Sequence, residues 1–260
     1  MREAWRFGAG FALLGLLAGC AVTDGPSSAP SAAADGESVR LTVIGTNDVH
    51  GELVGLTALS GYVEVLRETL GQESVVLLDA GDMWQGTLAS NMVEGASVVA
   101  AYNALGYDAA AIGNHEFDFG PAGDAFIPES PSDDPRGALK TRAQEARFPL
   151  LAANLVDEAT GQPVDWPNVT PSTLIYRRGI GIGVVGVTTT ETLESTIRAN
   201  TFGLNIAPLA ASIEREARSL RAAGADLVLV VAHAGGNCTE FDDPSDLSTC
   251  ETGDEIFEVA

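Results

Sequence analysis

Asp226-Leu-Val-Leu-Val-Val-Ala-His-Ala-Gly-Gly236 is an unbroken apolar run that stops abruptly at a histidine and two glycines. A strand without polar alternation predicts burial of both faces, the mark of a parallel sheet covered on each side. Three earlier stretches share its layout. Val39–Thr46 leads into Asn47-Asp48-Val49-His50-Gly51, Ser74–Asp79 into Ala80-Gly81-Asp82, and Asp108–Gly113 into Asn114-His115-Glu116-Phe117-Asp118. Phe148–Asn154 reads as a further strand, and Thr173–Val187, alternating around a Gly-Ile-Gly centre, as a hairpin. Between these lie helical stretches. Leu56, Leu59, Val63, Leu66 and Leu70 recur at steps of three or four, Ser97–Leu105 is helical, and Pro208–Ala223 carries Leu209, Ile213 and Leu220 on one face. Strands alternating with helices predict an α/β fold with a largely buried sheet. Residues 121–147, rich in Pro, Asp, Ser and Arg, read as a surface excursion, and no internal repeat is present.

Composition bounds the function. The 260 residues include 14 Lys+Arg against 36 Asp+Glu, a formal net charge of −22. That balance excludes broad, charge-driven binding to a nucleic-acid polymer, because little would neutralise the phosphates. It leaves room for a small phosphorylated ligand held through cations, which invert the local field. The length suits one large domain or two small ones.

The amino terminus reads as an address. Arg2 and Arg6 precede the apolar stretch Phe7–Gly19, which is of signal-sequence length and too short to span a bilayer. It ends in Leu17-Ala18-Gly19-Cys20, which resembles a bacterial lipobox, with Cys20 the lipid-modified first residue of the mature protein after removal of 1–19. A plain secretory signal with an incidental cysteine is the rival reading. Residues 20–38, mostly Ala, Ser, Pro, Gly and Asp, read as a flexible tether, so a catalytic-size domain runs over 39–260. Export permits disulfides. Cys238 and Cys250 flank the polar loop Thr239–Thr249, and a bridge there would stabilise by about 3 kcal/mol on the chain-entropy account. Two cysteines alone would make only half a zinc site.

The strand ends carry the chemistry. In open sheets, sites form beyond the carboxyl ends of strands. Four such ends here supply Asp48, His50, Asp82, Asn114, His115 and His233, which include all three histidines of the chain. Oxygen donors mixed with imidazole suit Mn, Zn, Fe, Co or Ni ions rather than Ca. An aspartate can bridge two cations, and paired cations about 3.5–4 Å apart clamp the attacking and leaving oxygens of a displacement at phosphorus. Taken singly, Asp48 and Asp82 could be helix caps and His115 a surface histidine. Trp84 and Phe117 read as packing, and Asp79 as structural.

Asp48-Val49-His50, Gly81-Asp82, Gly113-Asn114-His115-Glu116 and His233-Ala234-Gly235 together resemble the calcineurin-like metallophosphoesterases. Thr46-Asn-Asp-Val-His-Gly and Gly-Asn-His-Glu-Phe-Asp specifically resemble the exported 5′-nucleotidase branch, which also holds UDP-sugar hydrolases and 2′,3′-cyclic-nucleotide phosphodiesterases. The resemblance implies a layered α/β/β/α sandwich and two divalent ions. Asp48 and His50 would bind the first, Asn114 and His233 the second, and Asp82 both. Asn114 and His115 would meet the substrate, with His115 protonating the leaving oxygen and Asp118 orienting His115. Metal-held hydroxide would attack phosphorus. Glu116 stays outside this catalytic set, as a residue that braces the loop.

The implied product is an exported phosphoesterase acting on a small phosphorylated molecule, a nucleotide, and anchored in the cell envelope through Cys20. A cyclic nucleotide, a UDP-sugar or a thiosulfate carrier is the alternative substrate, and an inactive surface lipoprotein the alternative role. The sequence departs from the family at its end. Members carry a further Gly-His-x-His or Gly-His-x-Gln segment and a C-terminal nucleotide-binding domain, whereas no histidine follows His233 here. The expectation is therefore an incomplete catalytic domain, cut before its last strands.

Overall fold

Apolar side chains that alternate across a strand point to opposite faces, so a strand apolar throughout needs cover on both. The computed structural model, which describes residues 38–240, 242–243 and 245–259, meets that need with four layers. In chain order the elements are β1 (Thr42–Thr46), α1 (Leu53–Leu70), β2 (Val75–Asp79), α2 (Leu88–Asn91), α3 (Ala96–Leu105), β3 (Ala109–Ala111), α4 (Gly137–Glu145), β4 (Leu150–Leu151), β5 (Leu155–Asp157), β6 (Val169–Thr170), β7 (Ser172–Arg177), β8 (Ile180–Thr188), α5 (Arg198–Thr201), β9 (Leu204–Ile206), α6 (Leu209–Ala222) and β10 (Leu227–His233). The expected signal sequence 1–19, Cys20 and the tether up to residue 37 lie outside the described residues.

One sheet is parallel throughout, in the order β1-β2-β3-β4-β6. The second has the order β10-β8-β7, with β10 parallel and β7 antiparallel to β8. A ribbon of β5 and β9 lies apart. β2 shows why both faces of the first sheet are apolar. Its Leu77 packs with Leu56 and Val63 of α1 and Tyr102 of α3, while Val76 and Leu78 turn the other way. There they meet Ile182 and Val184 of β8 and Val231 of β10. Beyond the second sheet, Leu209 and Leu220 of α6 cover Val185 and Val187. The result is the α/β/β/α sandwich. Among the described residues no helix is long and apolar enough to cross a membrane.

Several expectations change. β10 is not buried on both faces: it is an edge strand, and its Val230 is 41% exposed. β1 is the edge of the other sheet, with Val43 48% exposed. The excursion 121–147 ends in a true helix, α4, whose Leu139 and Ala143 are buried in the core. Its polar composition hides this, because Arg142 buries its stem while its guanidinium donates to the Val93 carbonyl at 2.9 Å. The strand expected over 148–154 shrinks to two residues. The hairpin turns at Arg178-Gly179, both left-handed at φ 50° and 83°, so Ile180 and Gly181 belong to β8. Cys238 and Cys250 are joined by a disulfide.

Candidate metal centre

The parallel ladder of β1 and β2 continues past the strands and builds the site floor. The Ala80 amide donates to the Thr46 carbonyl at 2.8 Å, Asp48 to Gly81 at 3.0 Å, and His50 to Asp82 at 3.0 Å. This pairing forces unusual backbone. Six non-glycine residues among those described have positive φ, and three of them are Asp48 (51°), His50 (48°) and Asp82 (58°). Left-handed backbone is unfavourable for residues with a Cβ, and such strain concentrates at functional sites. The loop after β3 comes close too: a Cβ on Gly113 would lie 2.2 Å from Asp82 Oδ1. Only glycine lets these loops touch.

Two buried carboxylates hold the loops. Glu116 is 1% exposed. Its Oε2 accepts from the amides of Asp82 (2.9 Å) and Gly113 (2.7 Å), and its Oε1 from that of Met83 (2.8 Å). Burial, reinforced by the Asp82 charge, lifts its pKa to about 8 against the pull of these three donors. Asp79 is buried behind the β1–β2 junction. It accepts from the Gly81 amide (2.8 Å), Thr46 Oγ1 (2.6 Å) and the Tyr102 hydroxyl (2.8 Å). Burial raises it to about 6 in spite of those bonds. Glu116 stands beside His115 in sequence, yet its partners at Asp82 and Met83 are 34 and 33 residues away. The motif marks the residue and not what it holds.

The three histidines sort themselves by the partner of Nδ1. That of His50 faces the Gln85 carbonyl at 2.8 Å, and that of His233 the Ala80 carbonyl at 3.1 Å. A carbonyl only accepts, so both rings carry the proton on Nδ1 and turn Nε2 into the site. His233 Nε2 meets Asn114 Oδ1 at 3.0 Å and Asp82 Oδ2 at 3.3 Å; His50 Nε2 lies 3.7 Å from Asp48 Oδ1. A lone pair aimed at oxygen lone pairs needs a positive charge between them. At His233 in the free protein that charge is a proton. Burial opposes it, but the hydrogen bond and charge of Asp82 prevail and raise His233 to about 9. Burial likewise pushes Asp82 up, and His233 and His115 outweigh it and hold Asp82 below the usual carboxylate range. A divalent cation meets the same demand, and an imidazole whose other nitrogen is fixed by a carbonyl is the usual metal-binding arrangement.

His115 differs. Its Nδ1 meets Asp118 Oδ2 at 2.5 Å, and Asp118 Oδ1 accepts from Thr196 Oγ1 at 2.8 Å. Burial lowers its basicity, but the bond to Asp118 and the nearby negative charges outweigh this and raise its pKa. Its Nε2 lies 4.0 Å from Asp82 Oδ2. The donor atoms thus form two overlapping groups, His50–Asp82–His115 and Asp48–Asp82–His233, each within 4.8 Å. Asp82 is common to both, as the resemblance implies. The groups otherwise cut across the implied pairing, since Asp48 groups with His233 and His50 with His115. Trp84 and Phe117 are fully buried and belong to the hydrophobic core.

A cavity of about 490 Å³ opens at Asp48 and His233, and Thr189 and Glu191 complete its wall. These two follow β8, whose sequence marks it only as a hairpin arm. The Thr-Thr-Thr-Glu run at its end is the one local signal that could have pointed to them.

No family model matches the chain. Silent protein UshA(0) of Salmonella typhimurium is 32% identical over 188 residues, which are 69% of this chain and 30% of the relative. The snake venom 5′-nucleotidase of Gloydius brevicauda is 30% identical over 213 residues, 76% of this chain and 33% of that protein. A solved 5′-nucleotidase precursor from Thermus thermophilus superposes with a TM-score of 0.58 at 26% identity, over 74% of this chain and 36% of its own. The chain matches the N-terminal portion of these UshA and 5′-nucleotidase relatives. It spans about a third of the length of these relatives.

Proposed function

We propose that this chain carries the catalytic centre of an exported, metal-dependent phosphoesterase that hydrolyses nucleotide phosphate esters. One observation carries the reading: His50 and His233, each locked by a backbone carbonyl, aim Nε2 at the oxygens of Asp48, Asp82 and Asn114, while His115 is paired with a carboxylate instead. Asp48, His50, Asp82, Asn114 and His233 would hold two divalent ions of the Mn, Zn, Co or Fe type, with Asp82 shared. When bound, such ions neutralise phosphoryl oxygens and activate water. Asn114 and His115 would contact the phosphoryl group. As water attacks phosphorus and the ester P–O bond breaks, His115 gives its proton to the departing oxygen and Asp118 steadies the resulting imidazole. The nucleotide as substrate rests on the relatives named 5′-nucleotidase.

The same proposal covers location. The basic and apolar stretch before Cys20 supports a signal over 1–19, a lipid on Cys20 anchoring the protein in the cell envelope, a tether over 20–38, and a catalytic domain from 39 onward.

Phosphate release from AMP and glycerol phosphate, measured with Mn²⁺ or Zn²⁺ present, tests the activity. His115→Ala is expected to abolish turnover while Mn²⁺ binding persists. Turnover indifferent to the base would remove the nucleotide assignment, and a wild-type protein inert towards every ester would remove the enzyme.

A further inference from the structure

We propose that Thr196 is a positioning residue for His115, acting through Asp118. The inference rests on the phosphoesterase reading. The Asp118 carboxylate spends one oxygen, Oδ2, on His115 Nδ1 at 2.5 Å; the other, Oδ1, takes the Thr196 hydroxyl at 2.8 Å. A carboxylate held at one oxygen can still swing about its terminal torsion, and that torsion is broad and soft. Held at both, its plane is set, and so is the plane of the imidazole it orients.

Thr196 is itself held from both sides. The segment leaving β8 is pinned by Thr192, whose buried hydroxyl meets that of Thr188 at 2.7 Å. On the far side, buried Asn200 donates to the carbonyls of Phe117 (2.8 Å) and Phe126 (3.0 Å). Phe117 directly precedes Asp118, so the stretch of chain bearing Thr196 is stitched to the stretch bearing Asp118 beside the contact in question. The Asp118 and His115 side chains are 17% and 31% exposed. Water can therefore replace the Thr196 hydroxyl as a donor, and what its loss removes is the fixed orientation of the carboxylate.

Two variants separate positioning from mere loop support. Thr196→Val keeps the shape and deletes the donor; Thr196→Ser keeps the donor. A nucleoside 5′-monophosphate needs its leaving alkoxide protonated, whereas p-nitrophenyl phosphate leaves as a stable anion and needs His115 far less. The valine variant is expected to lose about tenfold in kcat on the nucleoside ester, with KM and nitrophenyl turnover changed less than about twofold. Thr196→Ser is expected to restore kcat, and Mn²⁺ affinity to be equal in all three proteins. Wild-type kcat in the valine variant overturns the proposal, as does an equal fall on both esters or a fall in Mn²⁺ affinity.

A second readout is independent of turnover. In the metal-free chain, the His115 Nδ1–H proton signal, assigned by its loss in His115→Ala, is expected to exchange slowly in wild type and the serine variant and rapidly in the valine variant. Slow exchange retained in the valine variant overturns the positioning role. Wild-type inactivity, by contrast, removes the phosphoesterase reading and leaves this measurement to decide the contact.

Discussion

Gly113→Ala adds one methyl group where two ligand-bearing loops meet. Gly113 is not among the positive-φ glycines, so alanine fits its backbone and the effect is purely steric. The new Cβ would stand 2.2 Å from Asp82 Oδ1 and 2.6 Å from Asp82 N. Ordinary contact begins at 3.4 Å, so one loop must retreat by about 1 Å. Asp82 cannot yield alone, because its amide is bound to Glu116 and its carbonyl to the His50 amide. Overpacking of this kind costs about 1–3 kcal/mol of stability. The larger consequence falls on the site, where a displacement of about 1 Å can cost on the order of a hundredfold in rate. Metal affinity is expected to drop by about 10–100-fold, the range seen when supporting contacts of a metal site are lost. Isothermal titration with Mn²⁺, alongside urea unfolding in EDTA, checks both. An alanine variant that unfolds cooperatively and binds Mn²⁺ as wild type does would refute the view that close approach of the two loops sets Asp82.

The same substitution elsewhere should act in the opposite sense. Gly61 lies inside α1 with nothing within 4 Å of its would-be Cβ, so Gly61→Ala is expected to stabilise by about 0.5–1 kcal/mol in urea unfolding. In EDTA, stability is expected to fall as pH rises from about 5 to 9. His233, raised from 6.5 to about 9, contributes stability that is complete below pH 6.5 and lost as pH climbs through 9. Glu116, raised from 4.5 to about 8, works in the same direction, so a Tm that climbs across this window contradicts the assignment. Added Mn²⁺ should reverse the trend, because neutral imidazole is the ligand. Reducing the Cys238–Cys250 disulfide should lower stability by about 3 kcal/mol on the chain-entropy account, and identical melting with and without reductant would contradict this.

Local signals were legible in the sequence. An apolar run ending in Gly-Asp or Gly-Asn-His is decided by neighbours in the chain, through burial of the strand and the backbone freedom of the residues that follow. Hence β1, β2, β3 and β10, and the strand-end positions of Asp48, Asp82, Asn114 and the three histidines, could be read directly. So could α1, whose stripe from Leu56 to Val63 meets the core.

What the chain order could not show depends on pairing between distant segments. Whether β10 lies at the centre or edge of its sheet is a property of its neighbours, so its apolar run overstated its burial. The helix α4 was hidden because its buried Arg142 finds its carbonyl partner at Val93, 49 residues away. The sorting of the histidines rests on Gln85 for His50 and on Ala80 for His233, 35 and 153 residues off. Thr196 reaches Asp118 across 78 residues with no motif to announce it. Residue type and local spacing put donors at strand ends. The tautomer and the orientation of each donor are set by whichever carbonyl, amide or hydroxyl the packed sheets bring against it, and only the tertiary structure decides that.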